Sequence, residues 1–410
     1  MKTVFYVNCT DIGSTGKIIQ DTADVAVKHG YRCVLCAPNI AEPNTPFLKK
    51  YRVSNRLFRA IAYRISKITG NQYGQGNIAA DNIIRRILRE KADLVHIHCA
   101  NGSFLNIYKL LNWLKKHGVP TVVTNHAEFF YTGNCDLAYD CDRWETGCGH
   151  CPRRFSVIDT TEIWWKKMKC SFSDFPGLVV TSVSPWVHNR ACLSPIMDGV
   201  DRRLVVNGVN DDTFRIYEQE NVWQKYGIDT HEKRVVLYVT ACFYGNRPEK
   251  GSEHLLRLAE KMADESLVFV VAGNHLPDVV VPDNVVLLGR IENQQELAQL
   301  YSAADLALIT SRREAFSMPV AESLCCGTPI VGFQAGGPES IALQEYSEFV
   351  RFGDTEALAE AIREKWLHFK NPESAQKSRT AAQQRYGKTV MADQYIAIYD
   401  EITGASVYEQ

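Results

Sequence analysis

The sequence has no excess of charge of either sign, since 46 Lys and Arg stand against 47 Asp and Glu in 410 residues. Nucleic-acid-binding proteins normally have a clear basic excess, so this balance argues against that class. No apolar run approaches the roughly 20 residues that span a bilayer, and the first run, in "MKTVFYVNC", is too short for a signal peptide. We therefore expect a cytoplasmic protein, whose thirteen cysteines are free thiols or metal ligands.

The opening glycine loop, "TDIGSTGKIIQ", lacks both common phosphate-binding patterns. A Walker loop needs four residues between its glycines and Ser or Thr after the lysine. Here Gly13 and Gly16 are three apart, and Ile18 follows Lys17. A dinucleotide fingerprint needs three glycines, and this loop has two. Two readings remain: a turn whose backbone amides approach an anion at a helix N-terminus, or an ordinary tight strand-to-helix turn.

Short apolar runs separated by helix-length segments recur along the whole chain. Examples are "KTVFYVN", "DLVHIH" and "PTVVTNH" in the first half, and "RVVLYVTA", "SLVFVVAG" and "DLALIT" in the second. Runs that are apolar at every position are typical of parallel strands buried on both faces. The pattern restarts after "NGVNDDTFR", so we predict an α/β protein with two doubly wound parallel-sheet domains that face each other across a cleft. The predicted divisions are an N-terminal domain over 1–206, a second domain over 207–385, and a final helix within 386–410 that packs back on the first domain.

The segment "SRREAFSMPVAESLCCGTPIV" places Glu314 and Glu322 eight residues apart around a loop that enters a helix near Pro319. The positive end of that helix dipole favours a diphosphate. Two carboxylates at this spacing can bind separate sets of hydroxyls on one elongated ligand. The alternative is that Glu322 is only a solvated or helix-capping carboxylate.

The same segment carries a family resemblance that covers nearly the whole chain. "EAFSMPVAE" followed by "CGTPIVGFQAGGPESI" resembles the E-x7-E signature of retaining glycosyltransferases of family 4, which have the GT-B fold. "DLVHIHCANGSFLNI", "TNHAEFFYTGNC", "CDRWETGCGHCP" and "VVNGV" are similar to the branch that assembles colanic acid and capsular polysaccharides. The resemblance implies two Rossmann-like domains with a nucleotide sugar in the cleft between them.

The resemblance assigns roles to residues of the second domain. It implies that Glu322 binds the ribose hydroxyls of the nucleotide and that Glu314 contacts the donor sugar. In "NRPEKGSEHLL", it implies that Lys250, with Arg247 as partner, neutralises the diphosphate; the alternative is a solvated turn. Fixed cations there would stabilise the charge of the leaving group. Backbone amides near the sugar and phosphates are implied for Phe316, Ser317 and Met318.

The resemblance also assigns roles to the residues that face the nucleobase, to the glycine loop and to one histidine. Arg290 and Ile291 stand where the family cradles the nucleobase. Gly13 and Gly16 would approach the donor diphosphate or the acceptor. His126, after the strand "PTVVTN", would contact the donor sugar and support catalysis.

One departure from the branch follows His126. Many relatives have an aspartate next, whereas this chain has Ala127 and then Glu128. An acceptor-activating role for that aspartate therefore cannot be carried over, and Glu128 is the candidate to replace it.

Four cysteines with the spacing C-x5-C-x6-C-x2-C predict a closed, structural zinc site in an acceptor-side loop. Two disulfides and simply reduced thiols are the alternatives, and a cytoplasmic location disfavours the disulfides. The four are Cys135, Cys141, Cys148 and Cys151.

A basic segment over 49–68 has no acidic residue. Read as one helix, it places apolar side chains on one face and most of its cations on the other, which is the pattern of a helix at an anionic lipid surface. Alternatively, the apolar face packs on the sheet and leaves a basic rim for an anionic acceptor. The apolar positions are Val53, Leu57, Ile61, Ile65 and Ile68.

Together these observations predict a hexosyltransferase-type enzyme that moves a sugar, with retention, from a UDP- or GDP-linked donor to a saccharide or lipid-linked saccharide in surface polysaccharide assembly. The resemblance implies a front-face route without an obligatory catalytic metal, at a cytoplasmic or peripheral inner-membrane location. Two alternatives remain open: a nucleotide-sugar epimerase on the same fold, and a non-catalytic nucleotide-sugar binding partner.

Overall fold

The computed structural model describes residues 1–41, 45–154, 156–218, 222–243 and 248–404. The chain divides into two compact units. The first, unit 1, comprises Met1–Gly208 together with the chain from Lys388 onward, and the second, unit 2, comprises Val209–Gly387.

The described residues of unit 1 form a parallel sheet of seven strands in the order β3-β2-β1-β4-β5-β6-β7. Strands β1, β2, β4, β5 and β6 are almost wholly buried because helices cover both faces, as the continuous apolar runs predict. The strands are β1 (Thr3–Val7), β2 (Arg32–Ala37), β3 (Lys49–Arg52), β4 (Leu94–Ile97), β5 (Thr121–Asn125), β6 (Leu178–Ser182) and β7 (Asp201–Leu204). The helices are α1 (Gly13–Lys28), α2 (Arg56–Thr69), α3 (Asn77–Glu90), α4 (Ile107–Lys116), α5 (Phe129–Thr132), α6 (Thr161–Phe172) and α7 (Pro185–Leu193).

The described residues of unit 2 form a second parallel sheet, of six strands in the order β10-β9-β8-β11-β12-β13. Its core packs Val236, Phe269 and Leu308 of the sheet against Leu255 and Trp366. The strands are β8 (Arg234–Phe243), β9 (Leu267–His275), β10 (Val285–Gly289), β11 (Leu306–Ile309), β12 (Ile330–Phe333) and β13 (Ser347–Val350). The helices are α8 (Ser252–Lys261), α9 (Gln294–Ala303), α10 (Met318–Cys325), α11 (Gly337–Ile341), α12 (Thr355–Glu364) and α13 (Pro372–Tyr386).

The last helix, α14 (Lys388–Ile402), belongs to unit 1 and packs against α1. Its Tyr399 hydroxyl lies 2.6 Å from Nδ1 of His96 at the end of β4. On the outer side, Arg203 of β7 donates to the Glu401 carboxylate at 2.6 and 2.7 Å. The end of the chain therefore completes the packing of the first sheet.

Each sheet has one point at which the strand order reverses. In unit 1 this point lies between β1 and β4, and in unit 2 it lies between β8 and β11. Open α/β sheets bind their ligands outside the carboxyl ends of the strands at such points. The loops after β1, β4, β8 and β11 are therefore the places to look for a site.

The prediction of one helix over 49–68 is wrong. Lys49–Arg52 forms the edge strand β3, and Val53 is buried between that strand and α2. The helix starts at Arg56, where the Asn55 side chain accepts a hydrogen bond from the Phe58 amide at 2.8 Å and caps the first turn. The apolar residues over 53–68 recur at helical spacing, which is why one helix was predicted. The residues before them pair with β2 as strand β3, so the helix cannot extend toward Lys49.

The apolar positions of α2 do not pack on the sheet. Only Ala62 and Ser66 of this helix are buried. The four predicted apolar positions remain 43–72% exposed: Leu57, Ile61, Ile65 and Ile68. Among the described residues, no helix is long and apolar enough to cross a membrane.

Candidate functional site

An ion pair lies at the reversal point of the unit 2 sheet. Nζ of Lys250, in the loop after β8, lies 2.9 Å from Oε1 of Glu314, in the loop after β11. The two loops approach closely because Gly251 has φ +77 and a Cβ there would lie 1.9 Å from the Thr310 carbonyl oxygen. Only glycine fits at that position, and it fixes where Lys250 emerges.

The Glu314 carboxylate is mostly buried and is ionised by its neighbours. Burial alone would raise its pKa, but the Lys250 charge and hydrogen bonds from Lys250 and Ser311 hold the pKa below its ordinary value. The Ser311 hydroxyl donates to Oε1 at 2.6 Å. The site therefore presents a fixed negative group beside a fixed cation at neutral pH.

The segment Phe316, Ser317 and Met318 forms the entry to α10. Ser317 has φ +91, which is strained for a residue with a side chain, and such strain concentrates at functional sites. The segment before it is held by Gly337, whose amide donates to the Glu314 carbonyl oxygen at 2.8 Å. The first amides of the eight-residue helix α10 follow directly.

Glu322 lies on α10 and is 8% exposed. The Tyr301 hydroxyl of α9 donates to its Oε2 at 3.3 Å. Burial and then the Glu322 charge raise the pKa of Tyr301 well above its ordinary value, so this phenol stays a donor. The carboxylate is therefore held in place by the protein rather than being solvated or used as a helix cap.

The other predicted residues of unit 2 are placed unevenly. Arg247 lies outside the described residues. Arg290 and Ile291 follow the edge strand β10, two strands away from β8. Arg290 is exposed and its Nε lies 3.8 Å from Oε1 of Glu292. The structure thus brings Lys250 and Glu314 into contact, and it places Arg290 at a separate point on the same edge of the sheet.

In unit 1 the glycine loop follows β1, as predicted, and opens α1 at Gly13. Gly13 has φ +73, and a Cβ on Gly16 would lie 2.5 Å from the Asp11 carbonyl carbon. Asp11 is fully buried and is bound by Lys50 at 3.1 Å and by the Ala41 amide at 2.8 Å. The loop is therefore tied to the end of β2 and to β3.

His126 belongs to a cluster of three histidines at the ends of β4 and β5. Its Nε2 lies 2.9 Å from Nδ1 of His98. His98 in turn packs on His96, with ring centroids 3.8 Å apart. Burial lowers the pKa of His126 to about 3 and lowers the pKa of both other rings well below the ordinary value. All three rings are therefore neutral at physiological pH, and a single proton links His98 and His126.

Glu128 does not replace the missing aspartate. It is fully buried, and Nε of Arg190 lies 2.6 Å from its Oε1. The Tyr131 hydroxyl donates to the same oxygen at 2.9 Å, and the Ala138 amide donates to Oε2 at 2.6 Å. With both oxygens engaged, Glu128 anchors the cysteine-containing loop and cannot reach an acceptor.

The cysteine loop gives no support to the predicted zinc site. All four thiols are free, and no group of three or more His, Cys, Asp or Glu in the described residues is arranged to hold a metal ion. Burial, and then the other three thiols, raise the pKa of Cys135 to about 12, and burial also raises that of Cys148 to about 12. The effect of the thiols on one another's pKa shows that the four cysteines lie near one another, and the zinc site stays a prediction.

Comparisons with known proteins agree with this geometry. The family "Glycosyltransferase Family 4" matches residues 15–159, and "Glycosyl transferases group 1" matches residues 222–385. The chain belongs to glycosyltransferase family 4. This family 4 enzyme is 25% identical to an uncharacterized 41.2 kDa protein in the cps region of Klebsiella pneumoniae, over 77% of this chain and 81% of that protein.

The solved structures that resemble this glycosyltransferase establish its GT-B fold, which confirms the predicted fold. Sucrose-phosphate synthase from Thermosynechococcus elongatus superimposes with a TM-score of 0.72 at 15% identity, covering 99% of this chain and 100% of that one. HepE from Anabaena, in complex with UDP, gives a TM-score of 0.64 at 16% identity, covering 98% and 100%. WaaG, a glycosyltransferase involved in lipopolysaccharide biosynthesis, gives 0.67 at 14% identity, covering 98% and 100%.

Sequence reasoning missed several residues that build the two sites. The Ser311 hydroxyl holds Glu314, and the Tyr301 hydroxyl holds Glu322. The only signals in the sequence are that Ser311 follows β11 closely and that Tyr301 lies on α9. His98 ends the run "DLVHIH", which predicts a strand and gives this histidine no separate role. It stands one residue beyond β4, where a polar side chain reaches the ligand-binding edge.

Proposed function

We propose that this glycosyltransferase moves a sugar from a nucleoside-diphosphate donor to a saccharide on a lipid phosphate, with retention of configuration. The observation that carries the proposal is the Lys250–Glu314 pair, which lies at the reversal point of the unit 2 sheet and beside the entry to α10. A diphosphate there would meet a lysine charge and helix amides, while Glu314 would accept hydroxyls of the sugar. The similar HepE structure holds UDP, which makes UDP the first nucleotide to test.

In the proposed reaction, the bond between the sugar C1 and the β-phosphate oxygen breaks. The acceptor hydroxyl oxygen bonds to C1 on the same face, and its proton passes to the departing phosphate. Lys250 and the α10 amides would stabilise the charge that develops on that phosphate, a role usually worth about a hundredfold or more in rate. His126, as a neutral imidazole, would hydrogen-bond the donor sugar.

A thermal-shift series tests the donor assignment. UDP, GDP, CDP and ADP, alone and as sugar conjugates, are added to the wild type, to Glu322→Gln and to the control Glu360→Gln, an exposed position of α12. We expect one nucleotide to raise the melting temperature of the wild type and the control, because a ligand that binds only the folded state stabilises it. Equal shifts in Glu322→Gln would contradict the ribose role, and no shift with any diphosphate would favour the non-catalytic alternative.

An acceptor assay separates transfer from epimerisation. The donor identified above is incubated with the enzyme alone, and then with lipid-linked saccharides. A transferase releases the nucleoside diphosphate in step with acceptor consumption, whereas an epimerase converts the donor sugar without any acceptor. Accumulation of an epimerised donor in the first incubation would overturn the proposal.

A lipid-linked acceptor is favoured by the exposed apolar face of α2. Leu57, Ile61, Ile65 and Ile68 stand in solvent, and Arg64 lies exposed among them. Such a helix binds reversibly to an anionic bilayer, with its apolar side chains in the acyl boundary and its cations at the headgroups. We therefore propose a peripheral position at an anionic membrane surface.

Vesicle sedimentation tests this position. Leu57→Ser with Ile61→Ser should release the enzyme from vesicles that contain phosphatidylglycerol, because both changes remove apolar area from the contact. The control is Leu88→Ser on α3, whose side chain is 62% exposed. Undiminished binding of the double variant, or the same loss with Leu88→Ser, would contradict docking through α2.

A further inference from the structure

Two open cavities lie side by side in unit 1 at the carboxyl ends of β2 and β3. The first, cavity A, has a volume of about 480 Å³, and three arginines line it together with Pro38 and Ile40. The second, cavity B, has a volume of about 390 Å³ and is lined by Val53, Phe58, Ile78 and Ala79. Both cavities share Arg52, Ser54 and Asn55, and Asn82 also lines cavity B. The arginines of cavity A are Arg52, Arg56 and Arg59.

No carboxylate lines either cavity, and within the described ranges none of the three arginines is within 4 Å of one. Arg59 donates through Nη2 to Oδ1 of Asn39 at 2.9 Å, yet its Nε is buried and makes no hydrogen bond. The Ser54 hydroxyl is also buried and makes no hydrogen bond. Buried donors without partners are costly, so cavity A holds unused hydrogen-bonding capacity beside three guanidinium groups.

Cavity A also adjoins the glycine loop. Its wall includes Ala41, whose amide donates to Oδ1 of Asp11 at 2.8 Å, and Asp11 is the residue against which Gly16 packs. An anion in cavity A would therefore lie at the ligand-binding edge of the unit 1 sheet, close to β1, where the strand order reverses.

We propose that cavities A and B together form a subsite for an amphiphilic phosphate, with the phosphate on the three arginines of cavity A and the adjoining hydrocarbon in cavity B. Guanidinium groups match phosphate oxygens through paired N–H donors, which makes arginine the suitable cation here. The apolar wall of cavity B would cover the first part of a hydrocarbon chain. The subsite rests on the proposed function in that it identifies where the lipid phosphate of the acceptor binds.

The same chemistry could come from two sources: the phosphate of a lipid-linked acceptor or the headgroup of a bilayer phospholipid. The exposed apolar face of α2 is contiguous with the arginines, since Arg56 and Arg59 are on that helix. A binding measurement without a bilayer separates the two sources, because a true subsite binds a single phosphate amphiphile in solution.

The experiment uses calorimetry on the full chain, saturated with UDP, and n-decyl phosphate below its micelle-forming concentration. Decanol and inorganic phosphate serve as half-ligands. We expect decyl phosphate to bind at least about tenfold more tightly than inorganic phosphate, because only the former buries a chain in cavity B. Arg59→Gln, and independently Arg56→Gln, should weaken binding by about tenfold, which is typical for loss of one charge-assisted hydrogen bond.

The matched control is Arg64→Gln, which removes the same charge from the same helix outside both cavities. It should leave the affinity for decyl phosphate unchanged. Equal weakening by Arg64→Gln would mean a general surface charge effect, and unchanged affinity in both Arg56→Gln and Arg59→Gln would mean that the arginines do not hold the phosphate; either result overturns the subsite. The subsite is also overturned if Arg59→Gln weakens binding to vesicles but does not weaken binding of decyl phosphate.

Two readouts keep this result separate from the donor proposal. UDP affinity is measured on each variant and should not change, because the arginines belong to unit 1, whereas Lys250 and Glu322, which are proposed to bind the diphosphate and the ribose, belong to unit 2. If none of the nucleoside diphosphates binds the wild type, the donor assignment fails, while the decyl phosphate titration, carried out without nucleotide, still decides the subsite. Unchanged melting temperatures of the variants verify that the fold is intact.

Discussion

Two pairs of side chains at the carboxyl ends of the two sheets have opposite chemistries. In unit 2 the site is ionic: Lys250 and Glu314 are in contact at 2.9 Å. In unit 1 the two histidines at the ends of β4 and β5 are neutral: His98 and His126 share one hydrogen bond at 2.9 Å, and burial keeps them uncharged. The two sheets share a topology, so the topology sets the location of a site, and the few residues after each strand set its chemistry.

The chemical difference between the ionic pair and the neutral histidines corresponds to two needs of the proposed sugar transfer. A leaving diphosphate gains charge, so a site that meets it needs a fixed cation. A sugar hydroxyl stays neutral and needs a donor or acceptor of a single hydrogen bond, which a neutral imidazole supplies. Breaking the ionic site should therefore cost more rate than breaking the neutral one.

The largest expected effect comes from Lys250→Met. With a saturating donor, we expect kcat to fall by about a hundredfold or more, because the charge on the departing phosphate loses its fixed cation. Steady-state kinetics with the donor and acceptor identified above measure it. Lys233→Met, an exposed change in the same unit, serves as control and should be neutral.

Lys250→Met also leaves the Glu314 carboxylate buried without its counter-charge, so the melting temperature should fall as well. Adding Glu314→Gln should restore stability, because removing both charges is far less costly than removing one. Activity should stay low in the double variant. Recovery of activity together with stability would mean that Lys250 acts only by holding the fold.

A smaller effect is expected for His126→Ala. Loss of one neutral hydrogen bond to the donor sugar should lower kcat/KM by about tenfold. Because the pKa of His126 is about 3, the wild-type pH profile should show no break from this group between about pH 5 and pH 8. His117→Ala, at an exposed position on the end of α4, is the control. A wild-type break near the ordinary pKa of histidine that disappears in His126→Ala would contradict the neutral assignment.

The sequence analysis recovered the continuous apolar strands but missed the two edge strands β3 and β13. "KKYR" and "SEFV" are short and half-exposed, so they lack the apolar run that marks a strand buried on both faces. Their pairing with β2 and β12 depends on the neighbouring strand rather than on local propensity. Residues in contact through tertiary structure, such as His98 with His126, were missed for the same reason.

The pairing of Lys250 with Glu314 shows how far motif reasoning reaches. Each residue was selected from its own motif, and 63 residues separate them in the sequence. Their contact was not predicted, because it depends on β8 pairing with β11 and on the space left by Gly251. The cations of cavity A were likewise noticed as a basic segment, whereas their gathering around one cavity requires β3 and the cap at Asn55.

The smallest effect is expected for the response of the two units to acid. This response compares unit 1 and unit 2 directly. His96 and His98 have folded-state pKa values far below the ordinary one because burial disfavours the charged ring. The unfolded chain binds protons near pH 6.5 and the folded chain does not, so their contribution to stability is present above about pH 6.5 and is lost as the pH falls below it. The depressed pKa of Glu314 acts in the same direction but only below about pH 4.3, where the unfolded carboxyl becomes protonated.

Between about pH 7 and pH 5, the protection of backbone amides against hydrogen exchange, taken relative to the intrinsic rate at each pH, should therefore fall around β4 and β5 of unit 1 while the strands β8 and β11 of unit 2 keep their protection. His98→Gln removes one of the titrating groups and should reduce this pH dependence, whereas His117→Gln, at an exposed position, should leave it unchanged. An equal loss of protection in both units would mean that the acid response comes from groups spread over the whole chain. It would also mean that the buried histidines contribute little to the difference between the two sheets.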